Sequence, residues 1–460
     1  MRMRRSLVIL EESYHKLLTH LFQDRKEQAA FVLCKLSISV DEIKFLVNDI
    51  IPVEEKDIKY NDRLRIYYGY ESYMPVVKQA LLEDKCFFIA HSHIDTITTF
   101  SEVDDIEERK LLKFAYNRIG KHFHGSMVFS DANTFDARVY NKELDVFEPI
   151  DKLVVIGDTY RFLKSVNAEH NLIDYDIYNR NILAFGEALQ YLVRDLNVGV
   201  VGCGGTGSAV IEELCRLGVG KLTIVDNQDF NSSNITRMHG SSLKHKGTPK
   251  VEIMQHMASE IGLNTVIVPI YEKLDNPVTA NQLKNCDIIF SCLDNTHFAR
   301  AILNLITIYY GVPLIDCGIK FYSRESVLID IFARIDLVTP STSCLLCRNV
   351  IDLSISASEM LGAEEYEKLV KEGYAKELQD DKIQAMPYNT LVASQAVIAF
   401  IQLLTNFKGQ NDYHTIYRLN KNKVVHENID GNKHDVECLC HDNNGMLLKG
   451  DMEPFLGLCW

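Results

Sequence analysis

The chain has 460 residues, room for two or three domains of ordinary size. Lys and Arg number 49 against 63 Asp and Glu, a net charge of −14 that repels a polyphosphate backbone and argues against nucleic acid as a partner. A composition 47% hydrophobic and 24% charged is ordinary for a globular chain and excludes wholesale disorder, collagen-like repeats and low complexity.

After the basic start MRMRR, the apolar run at 7–10 is cut off by Glu11 and Glu12, too short for a signal-peptide core. No uninterrupted apolar stretch reaches the roughly 18 to 20 residues that span a bilayer, so the expected location is the cytoplasm, with no membrane partner. An amphipathic stretch at 14–22 precedes two strand-like runs, AAFVLCKLS and CFFIAHSH. Between 107 and 122, Leu111, Leu112, Phe114, Ala115 and Ile119 recur at helical spacing, and HGSMVFS follows as another strand candidate. From Tyr178 a polar helical stretch leads into NVGVVGCGGTGSAVIEELCRLGVGKLTIVD, a strand, Gly-rich turn, helix and strand in order.

TVIVPI, CDIIFSCLD and VPLIDCGI continue the alternation and predict a mostly parallel sheet covered on both faces, with a core over roughly 175–430. The acidic, Ala-rich segment 355–381 reads as exposed helix or mobile loop. The expected fold class is therefore α/β. A mixed α/β domain covers 1–150, a polar linker 151–175, and a Rossmann-like, doubly wound domain 176–460.

Three groups of residues carry chemistry. The first is His91 and His93, an H-x-H leaving a strand, where alternate side chains share a face and suit two ligands of one zinc. Seven residues later stands Ser101-x-x-Asp104, and Glu27 heads the upstream strand EQAAFVL. This pattern resembles the signature of the JAMM (MPN-type) metallopeptidases. The resemblance implies zinc on His91, His93 and Asp104, Glu27 as general base and Ser101 as donor to the oxyanion. Three protein ligands leave a fourth position for water, whose pKa zinc lowers toward about 7. Ile94 stands where many members have proline, and Asp95 and Asp105 are extra carboxylates.

The second group is Gly202-x-Gly204-Gly205-x-Gly207 between strand and helix, with Asp226 ending the next strand. Such glycines let backbone approach phosphate at a helix N-terminus, while the carboxylate accepts from ribose hydroxyls. That fingerprint alone also fits an NAD-dependent dehydrogenase. The next stretch, VDNQDFNSSNITRMHGSSLKHKGTPKVE, resembles the ThiF/MoeB/HesA family of ubiquitin-activating-like adenylyltransferases. The resemblance implies Asn234, Arg237 and Lys250 facing the triphosphate of ATP, and Asp294 of SCLDN binding magnesium. Arg180, in the approach segment YNRNILAFGEALQYL, matches an arginine that in dimeric members reaches the partner's nucleotide, and such members pair as homodimers.

The third group is cysteines. Twelve in a long chain with no export signal read as reduced thiols or metal ligands. Cys344-x-x-Cys347 and Cys438-x-Cys440 resemble the family's structural zinc pairs, one residue short in the second, with His441 as an alternative to Cys440. Cys203, Cys215, Cys286, Cys292 and Cys317 read as core filler. No cysteine lies between Cys347 and Cys438, so the acyl group is expected to stop at the adenylate or pass to another protein, such as a conjugating enzyme with an acceptor thiol.

The expected function is bifunctional. A zinc peptidase cleaves at the C-terminus of a ubiquitin-like or sulfur-carrier-like protein ending in glycine, and an ATP- and magnesium-dependent adenylyltransferase activates that terminus. The alternatives are adenylation and maturation of a short peptide, and a non-catalytic scaffold that binds a ubiquitin-like protein.

Overall fold

The computed structural model describes all residues except 1–2, 95–97, 121–122, 158–159, 168–171, 295, 326, 360–382, 410–412, 422, 428–437, 441–446 and 459. Asp95, His441 and most of the acidic segment 355–381 thus lie outside the described residues. The chain divides into two units, Met1–His170 with Leu448–Met452, and Asn171–Leu447 with Glu453–Trp460.

The first unit runs β1 (Arg4–Leu10), α1 (Glu11–Leu21), β2 (Ala29–Ile38), β3 (Glu42–Pro52), β4 (Ile58–Asn61), β5 (Ile66–Tyr68), α2 (Tyr70–Leu82), β6 (Cys86–Ser92), α3 (Glu102–Ile119), β7 (His124–Phe129), β8 (Phe135–Asn141), β9 (Val146–Pro149), β10 (Lys152–Ile156) and β11 (Tyr160–Lys164). Nine strands form one mixed sheet in the order β11-β10-β1-β3-β2-β6-β7-β8-β9, and β4 pairs with β5 apart from it. Alternation along β2 divides the core. Ala30, Val32 and Cys34 face Tyr14 and Leu17 of α1, while Phe31 and Leu33 face Val76 and Val77 of α2 and Leu112 of α3.

Where a linker was expected over 151–175, Lys152–Ile156 and Tyr160–Lys164 are strands of the first sheet. LVVI is a buried β-branched run, and β10 pairs parallel with β1 (Leu7 opposite Leu153) before β11 returns antiparallel. Nor does the first unit end there. Asp451 N donates to Leu36 O (2.8 Å), Ile38 N to Asp451 Oδ2 (2.7 Å) and Asn48 Nδ2 to Leu448 O (3.1 Å), so five late residues complete β2 and β3. The second unit therefore begins at Asn171 and lacks 448–452, where one unbroken run over 176–460 was expected.

The second unit contains α4 (Tyr175–Phe185), α5 (Glu187–Asp195), β12 (Asn197–Val201), α6 (Gly205–Leu217), β13 (Lys221–Val225), α7 (Lys250–Ile261), β14 (Val266–Ile270), α8 (Pro277–Leu283), β15 (Ile288–Ser291), α9 (His297–Tyr310), β16 (Leu314–Arg324), β17 (Val327–Val338), α10 (Leu353–Glu359), α11 (Met386–Thr405), β18 (His414–Arg418) and β19 (Lys423–Glu427). Its sheet order is β14-β13-β12-β15-β16-β17-β18-β19. The first five strands are parallel, and β17 to β19 extend them antiparallel. The order reverses at β12, between β13 and β15, the switch point outside whose carboxyl ends ligands bind in open α/β sheets. By length and composition α11 could cross a bilayer, but half of its apolar window is buried and it packs on α6 as a core helix.

Candidate functional site

In the first unit, β6 carries His91 and ends one residue before His93, whose N–H donates to Phe129 O (2.8 Å). His91 pairs with Ala29 in β2, which sets Glu27 near the same strand end. Ser101 caps α3: its hydroxyl accepts from Asp104 N (3.2 Å) and donates to Asp104 Oδ2 (2.7 Å). The cap fixes Asp104 in the first turn, facing the histidines. It also commits the single Ser101 proton to Asp104, away from the expected oxyanion role.

The ligand atoms converge. His91 Nε2 lies 3.2 Å from His93 Nε2 and 3.7 Å from Asp104 Oδ1, and His93 Nε2 lies 3.5 Å from Asp104 Oδ2. Two nitrogens at zinc bond lengths in a tetrahedron stand about 3.3 Å apart, so two imidazoles and a carboxylate fit a three-ligand zinc site. Glu27, only 3% exposed, places Oε1 3.9 Å from His93 Nε2. Burial lowers the His91 pKa, but the Asp104 and Glu108 carboxylates outweigh it and push it up to about 10. Burial raises Asp104, yet His91, His93 and the Ser101 N–H hold it well below the usual carboxylate range. A cleft of about 360 Å³ opens from Glu27, His91 and Asp104 between Tyr68, Tyr73 and Phe114.

Two partners of this cluster escaped the sequence reading. Glu108 Oε1 is 3.4 Å from His91 Nδ1, and Glu108 Oε2 accepts from Arg138 Nη2 (2.7 Å). The spacing of Glu108 from Asp104, one helical turn, was the available signal. Arg138, on β8, had none.

In the second unit, Gly202 follows β12 at φ +95°, a conformation that favours glycine, and a Cβ there would meet Cys292 O at 2.6 Å. A Cβ on Gly207 would stand 1.8 Å from Gly202 O, so the first turn of α6 packs directly on the loop. Gly204 caps α6, Gly205 begins it, and the Gly204 Cβ position is open. Asp226 Oδ2 accepts from Cys203 N (2.7 Å) and Oδ1 from Gln228 N (2.8 Å), tying β13 to the glycine loop. Lys250, 6% exposed at the start of α7, donates Nζ to Gln228 Oε1 (2.6 Å). Asp294, just beyond β15, accepts from Gln384 Nε2 (2.7 Å).

Gly202, Gly204, Asp226, Lys250 and Asp294 line one cleft of about 440 Å³. Five of its lining side chains are carboxylates, Asp226, Glu272, Asp275, Asp294 and Glu359, against the two lysines 250 and 273. Glu359 accepts from His297 N (3.1 Å) and Phe298 N (2.7 Å) at the N-terminus of α9. Neither Glu359 nor Gln384 belongs to a motif, and their distance along the chain left no signal.

Five expected residues stand apart from the cleft lining: Gly205 and Gly207, which lie in the first turn of α6, and Asn234, Arg237 and Arg180. Asn234 is 4% exposed, and its Oδ1 accepts from Asn231 N (2.9 Å) inside its own turn. Arg237 donates to Ser233 O (3.0 Å), with Cδ 3.4 Å from the place a Gly205 Cβ would take. Arg180 is exposed on α4. A second compartment of about 310 Å³ shares Cys292, Leu293 and Asp294 with the first and adds Lys320 and Arg334. Cys292 and Cys317 are buried, as filler would be, but both line this compartment. Behind it, Asp316 accepts from Arg300 Nε (3.0 Å) and Arg334 Nη2 (2.6 Å), and buried Asp336 is bonded to Arg334, Arg348 and His414.

Cys344, Cys347, Cys438 and Cys440 form a third cluster. Their sulfurs are 3.8 Å (344 to 347), 3.5 Å (344 to 438), 3.5 Å (347 to 440) and 3.4 Å (438 to 440) apart. Tetrahedral thiolates around zinc stand about 3.8 Å apart, so the donor set fits a closed site, with Cys440 itself in the fourth corner. Hydrogen bonds from the three neighbours hold Cys344 well below the usual thiol range, while the bond to Cys344 pushes Cys440 up.

Residues 178–440 match the model of the ThiF family. The molybdopterin-synthase adenylyltransferase of Salmonella typhimurium is 33% identical over 140 residues, 30% of this chain and 56% of that protein. The SAMP-activating enzyme E1 of Haloferax volcanii is 28% identical over 157 residues, 34% of this chain and 58% of that protein. The chain thus spans little more than half the length of these curated relatives. A crystal structure of E. coli MccB with ATP aligns with a TM-score of 0.42 at 18% identity, covering 56% of this chain and 72% of that one.

Proposed function

Because the chain belongs to the ThiF family, we propose that its second unit adenylates the C-terminal carboxylate of a ubiquitin-like or sulfur-carrier-like protein with ATP. The observation that carries this reading is the convergence of the glycine loop, Asp226, Lys250 and Asp294 on one cleft at the switch point of the sheet. A carboxylate oxygen attacks the α-phosphorus, the bond to the bridging oxygen breaks, and pyrophosphate leaves with its electron pair. The loop lets main chain approach the phosphates, Asp226 faces the ribose, and Lys250 brings a buried positive charge. Asp294 would hold a magnesium ion, which would supply neutralisation of phosphate charge. The second compartment, with Lys320 and Arg334, takes the acyl chain and guides its carboxylate to the shared wall at Asp294.

Arg237 joins by swinging from Ser233 O, and Asn234 by holding the turn that carries it. Arg180 acts across a homodimer, reaching the cleft of a second copy from α4. ATP–pyrophosphate exchange with glycine-ended carriers tests the reading. Exchange with one carrier is expected, and none with any carrier overturns it.

For the first unit the same proposal holds a zinc peptidase acting on the carrier's C-terminus, supported by the donor geometry of His91, His93 and Asp104 beside buried Glu27. Zinc at this place supplies Lewis acidity. Glu27 takes the proton of the attacking water and returns it to the leaving amine, and the Tyr68–Tyr73–Phe114 cleft receives the peptide. Cleavage of a carrier extended past its glycine is the expected result. An intact extended carrier and an intact isopeptide conjugate would together remove this half.

A further inference from the structure

The two nitrogens of His91 face different groups. Nε2 points to His93 Nε2 (3.2 Å) and Asp104 Oδ1 (3.7 Å), the side on which a metal fits, and Nδ1 points to Glu108 Oε1 (3.4 Å). An imidazole that ligates through Nε2 keeps its proton on Nδ1, so Nδ1 is a donor needing an acceptor. Glu108 lies one turn beyond Asp104 on α3. One helix face thereby brings a carboxylate to each side of the same ring.

The carboxylate is itself held. Glu108 is 6% and Arg138 8% exposed. Arg138 donates Nη2 to Glu108 Oε2 (2.7 Å), Nε to Ser126 Oγ (3.2 Å) and Nη1 to Asp105, with its guanidinium 3.7 Å from the ring centroids of both Phe100 and Phe147. Glu108 Oε1, by contrast, is buried and makes no well-aligned hydrogen bond, leaving one oxygen turned to His91. A buried ion pair is no better for stability than apolar side chains of like size, so folding alone does not account for this one.

We propose that Glu108, locked by Arg138, is a positioning residue that fixes the ring of His91 and its Nδ1 proton, presenting Nε2 to a zinc ion. The inference rests on the zinc reading of the first unit and goes beyond it by assigning two residues outside the ligand set.

The test uses the full-length protein and zinc alone, titrated against a chelating dye, with thermal unfolding alongside. His91→Ala is expected to lose one equivalent of zinc relative to the parent. The double variant Glu108→Leu/Arg138→Met removes the pair without orphaning either charge. Its Kd for that equivalent is expected to rise about 10- to 100-fold, with the melting temperature unchanged or higher. Should the double variant not fold, Glu108→Gln, which keeps an acceptor, is expected to weaken zinc in the same direction by less. An unchanged Kd in whichever variant folds, or stability and affinity falling together, overturns the positioning role while the zinc site stands. Equal zinc content in the parent and His91→Ala removes the site and the inference together.

Discussion

Replacing Cys438 and Cys440 together by serine opens the four-sulfur cluster from one side while leaving Cys344 and Cys347 in place. A metal at this cluster closes a loop of about 90 residues between Cys347 and Cys438, and the chain-entropy model values such a cross-link at about 4.6 kcal/mol. The unit that carries it has about 285 residues, so its unfolding entropy is about 0.6 kcal/mol/K and the melting temperature should fall by about 8 °C. The assay is metal content by elemental analysis with calorimetric unfolding of the parent and the double variant. Loss of one zinc equivalent with a fall of this size is expected. Zinc retained in full refutes the assignment of the metal to these thiolates, and zinc lost with no change in melting refutes the cross-link reasoning.

Gly207→Ala forces a Cβ to 1.8 Å from Gly202 O, so the loop must move, and ATP–pyrophosphate exchange should fall about 100-fold or more. Lys250→Met removes the buried cation of the cleft and should lower the exchange rate about 100-fold with little change in melting. Glu27→Gln should lower peptide cleavage at least about 100-fold while leaving nucleotide exchange intact. Asp336→Asn leaves Arg348 buried without its carboxylate and should cost about 3–5 kcal/mol in denaturant unfolding. Burial alone would raise Asp336, but His414, Arg334 and Arg348 hold it well below the usual carboxylate range. Its contribution is therefore complete above the unfolded carboxylate value near about 4, and is lost as pH falls toward the lower folded value. The variant should lack that acid-side slope in unfolding free energy against pH.

Much of the chemistry was local and so could be read from the chain. His91, His93, Ser101 and Asp104 lie within one strand-to-helix connection, and Gly202 through Asp226 within one βαβ unit, where spacing and pleat dictate proximity. The thiolate pairs are 91 residues apart, yet each pair is short and self-announcing. What was misread depended on pairing across the chain. LVVI at 153–156 carries the strand signal, but only its register with β1 shows that it closes the first sheet rather than joining two domains. Glu359 lines the glycine-loop cleft and Gln384 reaches Asp294 through tertiary packing of α10 and of the segment ahead of α11, which no motif encodes. The motif puts Asn234 and Arg237 at the phosphates, and the turn that carries them adds what spacing does not encode: Asn234 closes a capping box by accepting from Asn231 N. Whether a polar side chain serves the turn or the ligand is decided by a hydrogen bond, not by spacing.

The surplus of carboxylates over lysines around the glycine-loop cleft has a consequence for what can enter it. A bare polyanion approaching those five acids is repelled by like charge, whereas the same molecule paired with a divalent counterion arrives with much of that charge neutralised. On the proposed reading, discrimination in favour of the metal-bound nucleotide begins before any contact with base or sugar. Simple electrolyte, by shielding the acids, should let the uncomplexed form enter more readily as ionic strength rises.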